Sequence, residues 1–327
     1  MANSNFANDI TALTFEHARK PLIDNIFKGN PLTHWLLKKK KVKVMGGSKI
    51  TMPLFYKEVA NHGAFEGFDV IGTAAGDVTT RCEYPWKYVY AQVAISTQEM
   101  YENAGPEQIL DILTTRMEVA AGTIVQDLET MFLGDGTGTN GKDFMGLRGL
   151  VSNTGTVGGI NSTSGSAPAG QTWWRSYVES KDASEEIGTR AILQDAITRV
   201  SKGTMDKPDL ALYGRTAYNN LVDELWDKRR VWSSENTDMA FPGIYYDGVY
   251  CMWTDNDNIV DTSTNQDTFY VLNTNYLYLI CHNINWMKMD GPIDTPTQRV
   301  LFYPIECQGN LVTTQRARQA VIHRVKA

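Results

Sequence analysis

The stretch PEQILDILTTRMEVAAGTIVQDLETMFL, residues 106–133, followed at once by Gly134-Asp-Gly-Thr-Gly138, sets the frame for the whole chain. Ile109, Leu113, Met117, Ala120, Ile124, Leu128 and Met131 recur at steps of four or three, the α-helical period. Pro106 suits the first helical turn, Glu107 complements the positive end of the helix dipole, and Gly134 stands where a left-handed C-cap belongs. At 1.5 Å per residue the predicted helix spans about 42 Å, well beyond the usual globular length. It is a spine.

The loop that closes this helix contains two familiar patterns. Gly136, Gly138 and Gly141 satisfy G-x-G-x-x-G, and Gly136 to Lys142 satisfies the first part of a phosphate-binding P-loop. Asp143 stands where the P-loop needs a magnesium-binding hydroxyl. Both motifs also have to follow a strand and open a helix, so that amides at the helix N-terminus face the phosphates. Here the loop ends a helix, and it reads as a tight structural turn.

Upstream, the sequence reads as β structure from about Val42 to Ile95. Lys49-Ile-Thr-Met52 alternates before Pro53, and Val89, Ala91, Val93 and Ile95 alternate along a second run. Between these runs lie Gly63, Gly67, Gly72 and Gly76, interspersed with Phe65, Phe68, Val70 and Ile71. That middle part has too much glycine for a core and too much apolar surface for a solvated loop. We read residues 42–95 as a long two-stranded arm, which needs a partner because isolated hairpins are marginal in water. Before it come Lys38 to Lys41 and Lys43, a basic run suited to a solvated rim, to DNA, or to an acidic face of a second copy. The first 37 residues carry apolar groups such as Phe6 and Trp35, broken up by Pro21, Gly29 and Pro31. A segment patterned in this way cannot pack on itself.

Downstream, residues 152–172 form a polar, glycine-rich loop or linker, with Trp173 and Trp174 placed either to anchor it to the body or to mark an interface. A helix is expected after Asp182, with Glu185 in a capping box and an end near Gly203. A strand at Leu210–Tyr213 and a helix at 216–230 follow. Strand-like runs then occupy Tyr245–Trp253, Thr268–Ile280, Arg299–Tyr303 and Asn310–Thr314, with a helix or strand ending near Val325.

A long helix ending in Leu133-Gly-Asp-Gly-Thr-Gly138, then Phe144-Met-Gly-Leu147 and Gly149-Leu-Val151, resembles the major capsid proteins of tailed bacteriophages, the Hong Kong 97-type shell fold. The order of parts resembles it too: an unsupported N-terminal segment, a long hairpin, a long helix. The resemblance implies an α+β fold with an N-arm (1–41) and an extended hairpin called the E-loop (42–95). It implies a peripheral domain (96–172) built on the spine helix 106–133, an axial domain (173–267) and a strand-rich return (268–327). It also implies a self-assembling shell subunit that forms hexamers and pentamers of a phage head in the host cytoplasm. Portal, scaffolding or protease functions would be its partners, and packaged DNA would lie inside without sequence-specific contact. Phe65, Phe68, Val70, Ile71, Phe6, Trp35, Lys39 and Lys41 are the candidate contacts between copies. An encapsulin-like compartment is the alternative on the same fold, and a nucleotide-binding enzyme using Gly136 to Lys142 is the alternative outside it.

Composition agrees with a shell. The chain has 327 residues, 42% hydrophobic and 21% charged, with a net charge of −6. Dedicated nucleic-acid binders carry a clustered basic surplus, which that balance lacks. No secretory signal and no apolar run of membrane-spanning length is evident, so a soluble intracellular protein is expected. Cys82, Cys251, Cys281 and Cys307 lie far apart and read as reduced, buried thiols. Cys281-His282 with distant Cys307 is poor zinc spacing, and Asp255-Asn-Asp-Asn258 lacks the glycine and closing glutamate of a calcium loop. No catalytic motif, cofactor or metal site is expected.

Overall fold

The structure, a computed structural model, describes residues 31–70, 72–73, 76–102, 112–162, 171–182, 185–225, 243–256, 259–261, 266–289, 291–295 and 298–324. Two sheets and the long helix organise an α+β fold.

The first sheet has six strands and is assembled on Gln298–Thr313, a single 16-residue strand where the sequence suggested two. One side of it pairs antiparallel with Lys87–Ser96, from Val300↔Ser96 to Gly309↔Lys87. The other side pairs with Leu277–His282 and, further along, with Lys288–Met289 and Ile293–Thr295. Val42–Met45 lies parallel to Leu277–His282 at the sheet edge. The long helix, described as Ile112–Leu133, packs along Lys87–Ser96 and buries Ile124, Leu128 and Phe132 in the main core. Those 22 residues span about 33 Å. Residues 106–111 of the expected helix lie outside the described residues.

The second sheet runs Tyr177–Lys181, Gln319–Arg324, Gln266–Leu272, Leu210–Tyr213, Val249–Trp253, Ile244–Tyr246, with Val260–Asp261 paired to Gln266–Leu272. Every residue of Leu210–Tyr213 is buried, because both faces of this sheet are covered. Leu210, Leu212, Tyr270 and Leu272 face the main core. Ala211, Tyr213, Phe269 and Val271 face a smaller core under the helices Arg190–Val200 and Arg215–Leu225. The first of these helices begins at Arg190 with Thr189 as N-cap, later than its sequence suggested. Gly188 explains the delay: its φ of +83° turns the chain, and a Cβ there would lie 2.1 Å from the Ala217 carbonyl. Ile187 is buried directly before the turn, so the chain is pinned there before helix can start.

The arm is shorter and paired differently than the alternation suggested. Ile50–Phe55 pairs with Thr79–Tyr84, from Ile50↔Tyr84 to Phe55↔Thr79. Val42–Met45 and Lys87–Ser96 belong instead to the six-stranded sheet. Alternating strands look the same whichever sheet they join, so spacing alone misassigned both.

Candidate interaction surface

In Ile50–Phe55 the period of two buries Ile50, Met52 and Leu54 and turns Thr51, Pro53 and Phe55 outward. The base of the arm is tied down firmly. Tyr84 is buried and its hydroxyl donates to the Thr313 carbonyl at 3.0 Å, and the Glu83 amide donates to the Gly158 carbonyl at 2.9 Å. Trp174 is buried and gives its indole N–H to the Val157 carbonyl at 3.0 Å, while Trp173 lies against Tyr56 with ring centroids 5.7 Å apart. The tryptophan pair therefore anchors the glycine-rich linker to the body.

Beyond the Tyr56–Val78 backbone bond the arm leaves the body. Its tip is held by short-range bonds: His62 Nδ1 with the Val59 carbonyl, and the Glu66 amide to the Asp69 carboxylate at 2.9 Å. Its apolar side chains remain open, with Phe55 85%, Phe65 66%, Phe68 105% and Val70 97% exposed. Covering each is worth roughly 1.5–3 kcal/mol. Scattered surface hydrophobics are normal, but several on one projecting arm make it the candidate interaction surface. Ile71, like Phe6, lies outside the described residues.

Trp35 requires a correction. It is buried within its own chain, stacked on Tyr250 at 5.3 Å between ring centroids. Pro31 stands at the start of a helix, Pro31–Lys38, as proline does at a first helical turn. Leu32 and Leu36 enter the core beside Trp35. Glu129 of the long helix accepts the Leu32 amide (3.0 Å), the Thr33 amide (2.8 Å) and the Thr33 hydroxyl (2.5 Å), capping the short helix from another element. Burial pushes the Glu129 carboxyl above its ordinary value, against the pull of these three donors. At the end of the same helix Lys39 reaches over the Trp35 ring at 5.0 Å, and Lys41 donates to Asn275 Oδ1 at 2.8 Å.

The turn after the long helix is structural in its geometry. The Gly134 amide bonds back to Thr130 and Met131, and Asp135 accepts the Thr137 amide and hydroxyl. Met145 donates to Asn310 Oδ1, which fastens the turn to the six-stranded sheet. The loop follows the C-terminal end of its helix, Lys142 is exposed, and Asp143 folds over Gly138. That arrangement aims no helix N-terminus at a phosphate. All four cysteines are free and buried, with burial pushing Cys82 up to about 11 and Cys251 and Cys281 up to about 12. No helix among the described residues is long and apolar enough to cross a membrane.

The sequence reading missed Arg316 and Glu129. Each is a buried ionisable side chain whose partners lie more than 90 residues away. Spacing carries no signal for such pairings.

No family model and no curated protein matches the sequence. Solved structures do match the fold. The capsid subunit of cyanophage A-1(L) aligns with a TM-score of 0.64 over 95% of this chain and 97% of its own, at 14% identity. The capsid of a native GTA particle aligns at 0.61 over 99% and 100%, at 9% identity. The SrpI encapsulin of Synechococcus elongatus PCC 7942 aligns at 0.55 over 98% and 95%, at 11% identity. The chain has the fold of tailed-phage capsid proteins along nearly its whole length.

Proposed function

We propose that this chain is the major capsid subunit of a tailed phage, a structural protein whose copies close into the icosahedral head around the genome. The observation that carries the reading is the projecting arm: its apolar tip is uncovered by its own body, on a fold otherwise packed around two cores. We read the arm as the E-loop, the long helix with the six-stranded sheet as the peripheral domain, and the seven-stranded sheet with its two helices as the axial domain. Phe65, Phe68 and Val70, with Lys39 and Lys41, are then contacts between copies, and Trp35 is removed from that group. Tip-to-body contacts between copies are heterologous, and such contacts close into rings when the rotation allows. The role needs no catalytic step. The net charge of −6 suits a container that must release its DNA, since a strongly basic lining would retain it.

Expression of the full chain, followed by sedimentation velocity and electron microscopy, tests the reading. Capsomers or closed shells are expected. A chain that stays monomeric at high concentration would overturn it. An encapsulin-like compartment shares the fold, as the likeness to the SrpI shell requires. Particles purified from the native source decide between the two: packaged DNA supports the phage head, and an enzyme cargo supports the compartment.

A further inference from the structure

Two surfaces of this chain complement one another in charge and in apolar character. One is the arm's tip, where Glu58, Glu66, Asp69 and Asp77 against Lys57 leave a net −3 with His62 neutral. These carboxylates flank in sequence the open side chains of Phe65, Phe68 and Val70. Glu58 lies 3.8 Å from the His62 ring, and both are exposed.

The other surface is the edge of the six-stranded sheet. Lys38 to Lys41 and Lys43 bring five positive charges to it within six residues. The partners the structure gives three of them are neutral: Lys39 lies over an indole, Lys43 over the Tyr278 ring at 3.6 Å, and Lys41 bonds to an amide. Val44 and Ile284 stand open beside these lysines, 66% and 69% exposed, in segments joined by the Asn283–Met45 backbone bond of 3.2 Å. Val42–Met45 pairs on one side alone among the described residues, so its outer edge can take another chain.

We propose that the arm's tip from one copy seats on this lysine-bearing sheet edge of a second copy. The tip carboxylates meet Lys39, Lys40 and Lys43, and Phe65, Phe68 and Val70 cover Val44 and Ile284. The proposal rests on the shell reading and names the seat that reading leaves open. Opposite charges steer the encounter and fix its register, while the apolar contact supplies the affinity. The contact is directional, from tip to edge, so each added copy presents a fresh edge to the next. A run of lysines also suits DNA, and the experiment separates the two.

Charge reversal followed by reversal of the partner tests the seat. The variants are K39E/K40E/K43E on the edge, E58K/E66K/D77K on the tip, and both sets combined. Each set alone is expected to cut the fraction assembled about tenfold at 0.15 M salt, and the combination to restore it. Circular dichroism and thermal melting check that each variant is folded. The milder K39Q/K40Q/K43Q and E58Q/E66Q/D77N sets carry the same test if a reversal disturbs the fold. Wild-type assembly by both reversed variants, or no rescue in the combination, overturns the seat and leaves the shell reading standing. Edge variants that assemble normally but retain less DNA overturn it in favour of a DNA contact. A wild-type chain that forms no particles overturns the shell reading and the seat together.

Discussion

Arg316 is fully buried, and its guanidinium makes five hydrogen bonds: to the carbonyls of Leu150, Ser152 and Trp174 and to the hydroxyls of Ser152 and Ser162. Burial lowers its pKa to about 10, a mark of how strongly the site disfavours charge, yet the side chain stays protonated at neutral pH. It gathers the segments on either side of the glycine-rich linker. Arg316→Met is expected to cost on the order of 3–5 kcal/mol, because three buried carbonyls lose their donors at once. Urea denaturation measures the loss, and a change below about 1 kcal/mol would show that water replaces the guanidinium. Glu129 and Glu99 make a second residue-level prediction, with opposite signs. The folded state binds a proton at Glu129 more tightly than the unfolded chain does. Its contribution to stability is therefore fully present below the ordinary value of 4.5 and fades as pH rises through the raised folded value. Burial also pushes Glu99 up, but Arg116 at 2.9 Å and the Ser96 amide outweigh it and the net shift is downward. Its contribution is present above 4.5 and fades as pH falls through the lowered value. Glu129→Gln should flatten the first dependence and leave the second. A denaturation series between pH 3 and 8 reads both, and an unchanged slope above pH 4.5 in the variant would remove Glu129 from the account.

At the scale of elements, the turn after the long helix depends on space more than on torsion. Gly146 has a negative φ, but a Cβ there would lie 2.3 Å from the carbonyl oxygens of Gly134 and Met131. The obstacle is backbone and cannot swing aside. Gly141 is the converse, with open space around it and a φ of +76°. Gly146→Ala is expected to destabilise by at least about 3 kcal/mol, and Gly141→Ala by roughly 1–2 kcal/mol, the ordinary penalty for a left-handed residue with a side chain. Thermal or urea unfolding of the two variants side by side checks the order, and equal losses would put the two glycines in one role. The same turn shows what the sequence could and could not tell. Its helix was readable, as was the loop's place after a helix and not before one, because each is a local property of consecutive residues; the left-handed cap expected at Gly134 was not, since the positive φ falls two residues later, at Gly136 (+78°). Strand existence was readable too, at 50–52 and 210–213, from alternation or a short apolar run, whereas the last segment read equally as helix or strand and is the strand Gln319–Arg324. Pairing was not: Lys87–Ser96 alternates as well as any arm strand would, and only its fit to Gln298–Thr313 places it in the sheet. Trp35 failed for the same reason, since nothing near it in sequence announces the Tyr250 ring beneath it.

For the whole molecule, the arm's tip stands apart from everything that stabilises the monomer. Among the described residues, the main core draws on the arm up to Leu54 and again from Cys82. Among the described residues the outermost backbone bond joining the two sides of the arm is Tyr56 to Val78, and the His62–Val59 and Glu66–Asp69 bonds beyond it are local. A segment with those properties adds little to the cooperative stability of its own chain. It keeps at least four large apolar side chains in water, an exposure that the proposed contact with another copy would compensate. Deleting residues 60–76 and closing the arm with a two-residue turn should therefore leave the unfolding midpoint within about 2 °C of the wild type, a ΔΔG under roughly 1 kcal/mol. The same deletion should abolish stable particles. The two readouts pull apart the two roles a projecting arm can have. Lost stability with the deletion would mean that the tip folds back on its own body in solution, whereas unchanged assembly would mean that the sheet edge and the rest of the surface join copies without it. Unchanged melting with lost assembly is the result that the division of this chain into a self-sufficient body and a borrowed surface requires.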